Sequence, residues 1–160
     1  MNLKELIHYL KEHSIEHFVI EAPEEASCRI EFPLNPDHLH RERSVQLNIQ
    51  EQDLVEDRHY TFHFTYRFPF ETNLNATSEI ARYTAFLNTH QEFPGFTYDE
   101  INQTLTFRIL QYALHSPQTI LSILGMFLLT LDLFTPQLEK IAKGLVTMNE
   151  TLEEMVATNE

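Results

Sequence analysis

Tryptophan is absent from this 160-residue chain, cysteine occurs once, glycine three times, and lysine and arginine together number 11 against 24 aspartates and glutamates. Each shortage excludes something. A lone Cys28 cannot close an internal disulfide; it reads as a small apolar filler in a protein suited to a reducing compartment. Gly95, Gly125 and Gly144 lie far apart, which leaves no glycine-rich loop to cradle a phosphate. The formal net charge of −13 repels nucleic-acid phosphates and anionic membrane surfaces alike, so neither is expected as a partner. The most apolar run, residues 119–134, is shorter than the roughly 20 residues that span a bilayer and contains Asp132; it reads as a buried helix. The first 13 residues, MNLKELIHYLKEH, carry charge through an amphipathic pattern and lack the features of a secretion signal, which points to a cytoplasmic protein.

What is present is a strand pattern of unusual regularity. In HYTFHFTYRF at 59–68, Tyr60, Phe62, Phe64, Tyr66 and Phe68 alternate with His59, Thr61, His63, Thr65 and Arg67. Alternate strand residues face opposite sides, so this segment has one aromatic and one polar face, as in a half-buried antiparallel strand. Around it the spacing predicts a helix over 2–13, strands at 17–21 and 27–32, and a third strand through Val45, Leu47 and Ile49. A helix follows Thr77, read as its cap, and carries Ile80, Tyr83, Phe86 and Leu87. Phe96–Glu100 and Thr104–Ala113 then form a hairpin across Asn102-Gln103, and Ser116-Pro117 opens a long helical tail. The class is α+β, an antiparallel sheet of about five to six strands covered by helices in the order α-β-β-β-β-α-β-β-α(-α). Residues 1–160 read as a single domain.

The tail carries a seam spaced by fours and threes through Ile120, Leu124, Phe127, Leu131, Phe134, Leu138, Ile141, Leu145, Met148, Leu152 and Met155. Up to Phe134 the helix is apolar nearly all round, so the match there decides little. Beyond Pro136, where the sequence leaves open whether the helix is continuous, kinked or divided, Glu139, Lys140, Lys143, Glu150, Glu153 and Glu154 occupy the other faces. Over 136–160 the seam residues Leu138, Ile141, Leu145, Met148, Leu152 and Met155 are therefore the candidate dimer or partner contacts. The bland alternative is a helix packed on its own sheet.

Reaction chemistry is harder to find. Asp37-His38-Leu39-His40 places two imidazoles at alternate positions but has no clear third ligand. His59 and His63 lie about 13 Å apart by strand rise, too far to share an ion. Glu51, Asp53, Glu56 and Asp57 lack the glycine and spacing of a calcium loop. Asp99-Glu100 beside Arg108 reads as a cross-strand ion pair. The serines lack nucleophile-elbow contexts. No catalytic, cofactor-binding or metal-binding residues are assigned, and no cofactor is expected.

The segment from Leu87 to Ile141 resembles the YbjN family, whose fold is similar to that of type III secretion chaperones. The residues that carry the likeness are Leu87-Asn88, Pro94-Gly95-Phe96, Tyr98-Asp99-Glu100, Leu105-Thr106-Phe107-Arg108 and the Ser-Pro helix running to Leu131-Asp132-Leu133-Phe134. YbjN-like sequences tend to have a glycine in the hairpin turn where this chain has Asn102-Gln103. The resemblance implies an antiparallel sheet covered by helices. Chaperones of this shape are typically homodimers that hold a stretch of another protein. The leading expectation is a non-enzymatic protein-binding or chaperone-like module that contacts a protein partner or a second copy of itself. The alternative is a small-molecule sensor or unrecognised enzyme with a pocket between helices and sheet, marked by Tyr66, Tyr83 or Tyr98.

Overall fold

A computed structural model of the chain describes residues 3–13, 15, 18–21, 27–37, 39–54, 57–91, 94–112, 116 and 118–157. The elements are α1 (Leu3–Glu12), β1 (Phe18–Glu21), β2 (Ser27–Leu34), β3 (Arg43–Leu54), β4 (Asp57–Arg67), α2 (Thr77–His90), β5 (Phe96–Asp99), β6 (Thr104–Gln111), α3 (Gln118–Ala142) and α4 (Met148–Ala157). The strands form an antiparallel sheet in the order β1-β2-β3-β4-β6-β5, so β1 and β5 are its edges. The α+β class and the expected order of elements are both present. The chain divides into two compact units, Met1–Tyr66 with Arg108–Leu129, and Arg67–Phe107 with Thr130–Glu160.

The first unit is built on period-two alternation. The register sets Ile30 opposite Leu47 and Leu47 opposite Phe64, and in the neighbouring row Cys28 opposite Ile49 and Ile49 opposite Phe62. All six are buried, as are Phe32, Val45 and Tyr66, so the apolar residues of three adjacent strands share one covered face. At about 1.5 to 3 kcal/mol for each fully buried large side chain, this face is the unit's principal stabilising element. Phe127 of α3 packs on Phe64 with ring centroids 6.2 Å apart, and Leu6 and Leu10 of α1 are fully buried. The β2–β3 connection is shaped by Asp37, whose carboxylate accepts from the backbone N–H groups of Leu39 and Arg41 and from Arg41 Nε.

The second unit is organised round Phe96. Its ring lies 4.7 Å from Phe107 and 6.4 Å from Phe68, and meets Phe134 edge-on at 5.8 Å. Helix α2 is not capped by Thr77, contrary to expectation. Thr77 is already helical, Ala76 stands at the N-cap without a side-chain bond, and a 3-10 turn at Leu74–Ala76 leads in from Asn73, whose side chain accepts from Asn75 N–H. In the hairpin, Asp99 accepts from the N–H groups of Ile101 and Asn102 and from Asn102 Nδ2, while Gln103 takes the left-handed conformation at φ 51°. A left-handed turn position is thus present where a glycine is commonly found, filled here by glutamine.

Candidate functional site

The helical tail does not divide at Pro136. Helix α3 runs unbroken through it to Ala142 and ends in a Schellman turn: Gly144, at φ 71°, donates to Ile141 O at 2.8 Å, and Leu145 N–H reaches back to Lys140 O at 2.9 Å. A new helix, α4, then starts with a capping box. Thr147 Oγ1 accepts from Glu150 N–H at 3.2 Å, and Glu150 Oε2 accepts from Thr147 N–H at 2.7 Å. Those bonds from Thr147 hold the Glu150 carboxyl below its ordinary pKa.

This break takes apart the seam inferred from spacing, because a straight heptad count assumes one continuous helix. Leu138 and Ile141 are fully buried within the chain and belong to its core. Met148 and Met155 are half-buried on α4, and both are engaged with α2: Met148 N–H donates to Glu79 Oε2 at 2.8 Å, and the Tyr83 hydroxyl points at Met155 Sδ at 3.8 Å. Leu152 is half-buried, and Leu145, just past the turn, is 70% exposed. The six candidates therefore do not form one surface.

A different set of apolar side chains is open. On α3, Leu129 is 75% exposed, Leu133 58% and Leu121 40%. Leu129 and Leu133 are four residues apart and so share one helix face. Ser122 on the same helix is exposed too, and a Cβ added at Gly125 would meet nothing within 4 Å. Well under half of the helix's most apolar stretch is buried inside the chain, although by length and composition α3 could cross a membrane. The length argument drawn from residues 119–134 accordingly does not apply to the full helix. Spacing alone missed the Leu129–Leu133 face because a helix apolar nearly all round gives no phase. The available signal was Asp132, a carboxylate inside the apolar run and on the exposed side.

Features weighed for chemistry take structural places. Tyr66 and Tyr83 are fully packed, and burial pushes the Tyr83 phenol up to about 12. Tyr98 is half-buried and shares a hydrogen bond with the Thr77 hydroxyl at 3.4 Å. None of the three lines either of two clefts found among the described residues. One, of about 660 Å³, is walled by Glu31, Pro33, Pro36, Glu42 and Arg43; the other, of about 400 Å³, by Arg67, Phe70, Glu71 and Gln103. Asp99 does not face Arg108, since the register pairs it with Thr104 and its carboxylate serves the turn. Cys28 is buried, which raises its thiol pKa. Among the described residues no three His, Cys, Asp or Glu side chains gather as metal ligands. His38 and Glu56, and the side chains of Glu51, Asp53, Asp57 and His59, lie outside the described residues.

Compared with protein-family models, with curated proteins and with solved structures, the chain matches none.

Proposed function

We propose that this chain is a non-enzymatic, protein-binding module of chaperone-like kind, related to the YbjN family, working in the cytoplasm as a homodimer through the exposed apolar face of α3. The observation that carries the reading is the exposure of Leu129 and Leu133 on a helix whose opposite face, with Ile120, Leu124, Phe127, Leu131, Phe134 and Leu138, is buried. Each leucine contributes up to about 1.5 to 3 kcal/mol when fully covered. A second copy offers the same face, so a two-fold contact matches apolar to apolar surface. An anionic membrane is a poorer match for a chain of net charge −13. The residues that carry the YbjN likeness have physical work in the second unit: Leu87, Phe96, Leu105 and Phe107 are core, and Asp99 caps the hairpin turn.

The test is the double substitution Leu129→Glu, Leu133→Glu, with folding checked by circular dichroism and mass read by sedimentation equilibrium. Wild type is expected at twice the chain mass and the folded double variant at the chain mass. Leu145→Glu, which alters an exposed leucine beyond α3, is expected to leave the dimer intact. A folded double variant that sediments as wild type does would remove α3 as the contact.

A further inference from the structure

Both backbone polar groups of Phe96, the first residue of edge strand β5, are taken by a single side chain. Asn88, near the end of α2, accepts through Oδ1 from Phe96 N–H and Gly95 N–H, both at 2.9 Å, and donates through Nδ2 to the Phe96 carbonyl at 2.8 Å. The N–H and C=O of one strand residue point to the same side, so those of Phe96 point away from β6. Its pairing with Phe107 is then of the non-hydrogen-bonded kind, in agreement with ring centroids only 4.7 Å apart. The groups held by Asn88 are the ones that a further strand would use.

We infer that Asn88 is an edge plug: its carboxamide stands in for a neighbouring strand at Phe96 and so keeps β5 from pairing with a second copy of the chain or with an extended peptide. A strand of four residues turns two of them outward, here Phe96 and Tyr98. Occupying the first leaves one outward pair of groups, too short a ladder to hold another chain. The job calls for a side chain that donates and accepts from one planar group. Aspartate keeps the two accepted bonds and loses the donated one; alanine loses all three. Unpaired edges are the usual route by which sheets add strands from other molecules.

The experiment uses full-length Asn88→Ala and Asn88→Asp beside wild type, with circular dichroism for folding, amide exchange at Phe96, and mass by light scattering over a range of concentrations. In Asn88→Ala the Phe96 amide is expected to exchange about tenfold faster or more, and the mass to climb with concentration above that of wild type. Asn88→Asp, freed only at the Phe96 carbonyl, is expected to show the same climb to a smaller extent. Unchanged exchange in a folded Asn88→Ala would overturn the geometry. Faster exchange with a mass that tracks wild type at every concentration would overturn the plug. If the alanine variant does not fold, the same mass readout on Asn88→Asp decides: a climb supports the plug and wild-type behaviour overturns it.

Discussion

Asp37 keeps its charge although its side chain is 1% exposed. Burial by itself would raise its pKa. The hydrogen bonds from Arg41 and Leu39, together with the Arg41 charge 2.6 Å away, outweigh burial and hold the carboxyl below its ordinary value. A depressed folded-state pKa means that the ionised group stabilises the fold above the unfolded value of about 3.9, and that this contribution drains away as pH falls through the folded value. Asp37→Asn is therefore expected to be less stable than wild type by about 1 to 3 kcal/mol near neutrality, with the gap narrowing as acid is added. Urea melts at neutral pH and below pH 4 would check it, and a gap of constant size would show that the charge is immaterial. The same bonds commit Asp37 to shaping its own loop. The aspartate oxygens are spent on its own turn, in which His40 sits left-handed at φ 59°.

Among the elements, α3 and its end divide what patterning could reveal from what it could not. Strands β3 and β4 were legible because a period of two survives every local accident, and Leu47, Ile49, Phe62 and Phe64 are buried as alternation requires. Pro136 left the continuity of the helix open in the sequence, since an interior proline costs about 3 kcal/mol and forfeits one backbone bond. Here the residue four before the proline is the exposed Asp132, and the buried Leu131, Phe134, Leu138 and Ile141 hold the flanking turns in place. Such burial is known only once the fold is known. The helix ends instead at Gly144, where φ 71° suits glycine and strains any other side chain. Gly144→Ala is expected to lower stability by about 1 kcal/mol, whereas Gly125→Ala, in a helix interior with open space at its Cβ, is expected to raise it by about 0.5 to 1 kcal/mol. For a chain of this size, melting temperatures should move in opposite directions by about 2 to 4 °C per kcal/mol. Equal shifts in calorimetry would mean that Gly144 is not what stops α3.

For the whole molecule, charge opposes what apolar surface favours. Two copies that meet through Leu129 and Leu133 bring together net charges of −13 each, and that repulsion acts over a screening length of about 10 Å at 0.1 M salt and about 3 Å at 1 M. An apolar contact gains nothing from low salt, so raising ionic strength removes the cost and leaves the attraction. Self-association through α3 is expected to tighten as sodium chloride rises from about 0.05 to 0.5 M, a range over which screening becomes several-fold more effective. A contact built on ion pairs between copies would loosen over the same range, because salt screens attraction as it does repulsion. Sedimentation equilibrium across that series, with Leu129→Glu, Leu133→Glu as the reference, separates the two. A dissociation constant that falls with salt in wild type supports the apolar face, and one that rises assigns the interface to charged groups elsewhere on the chain.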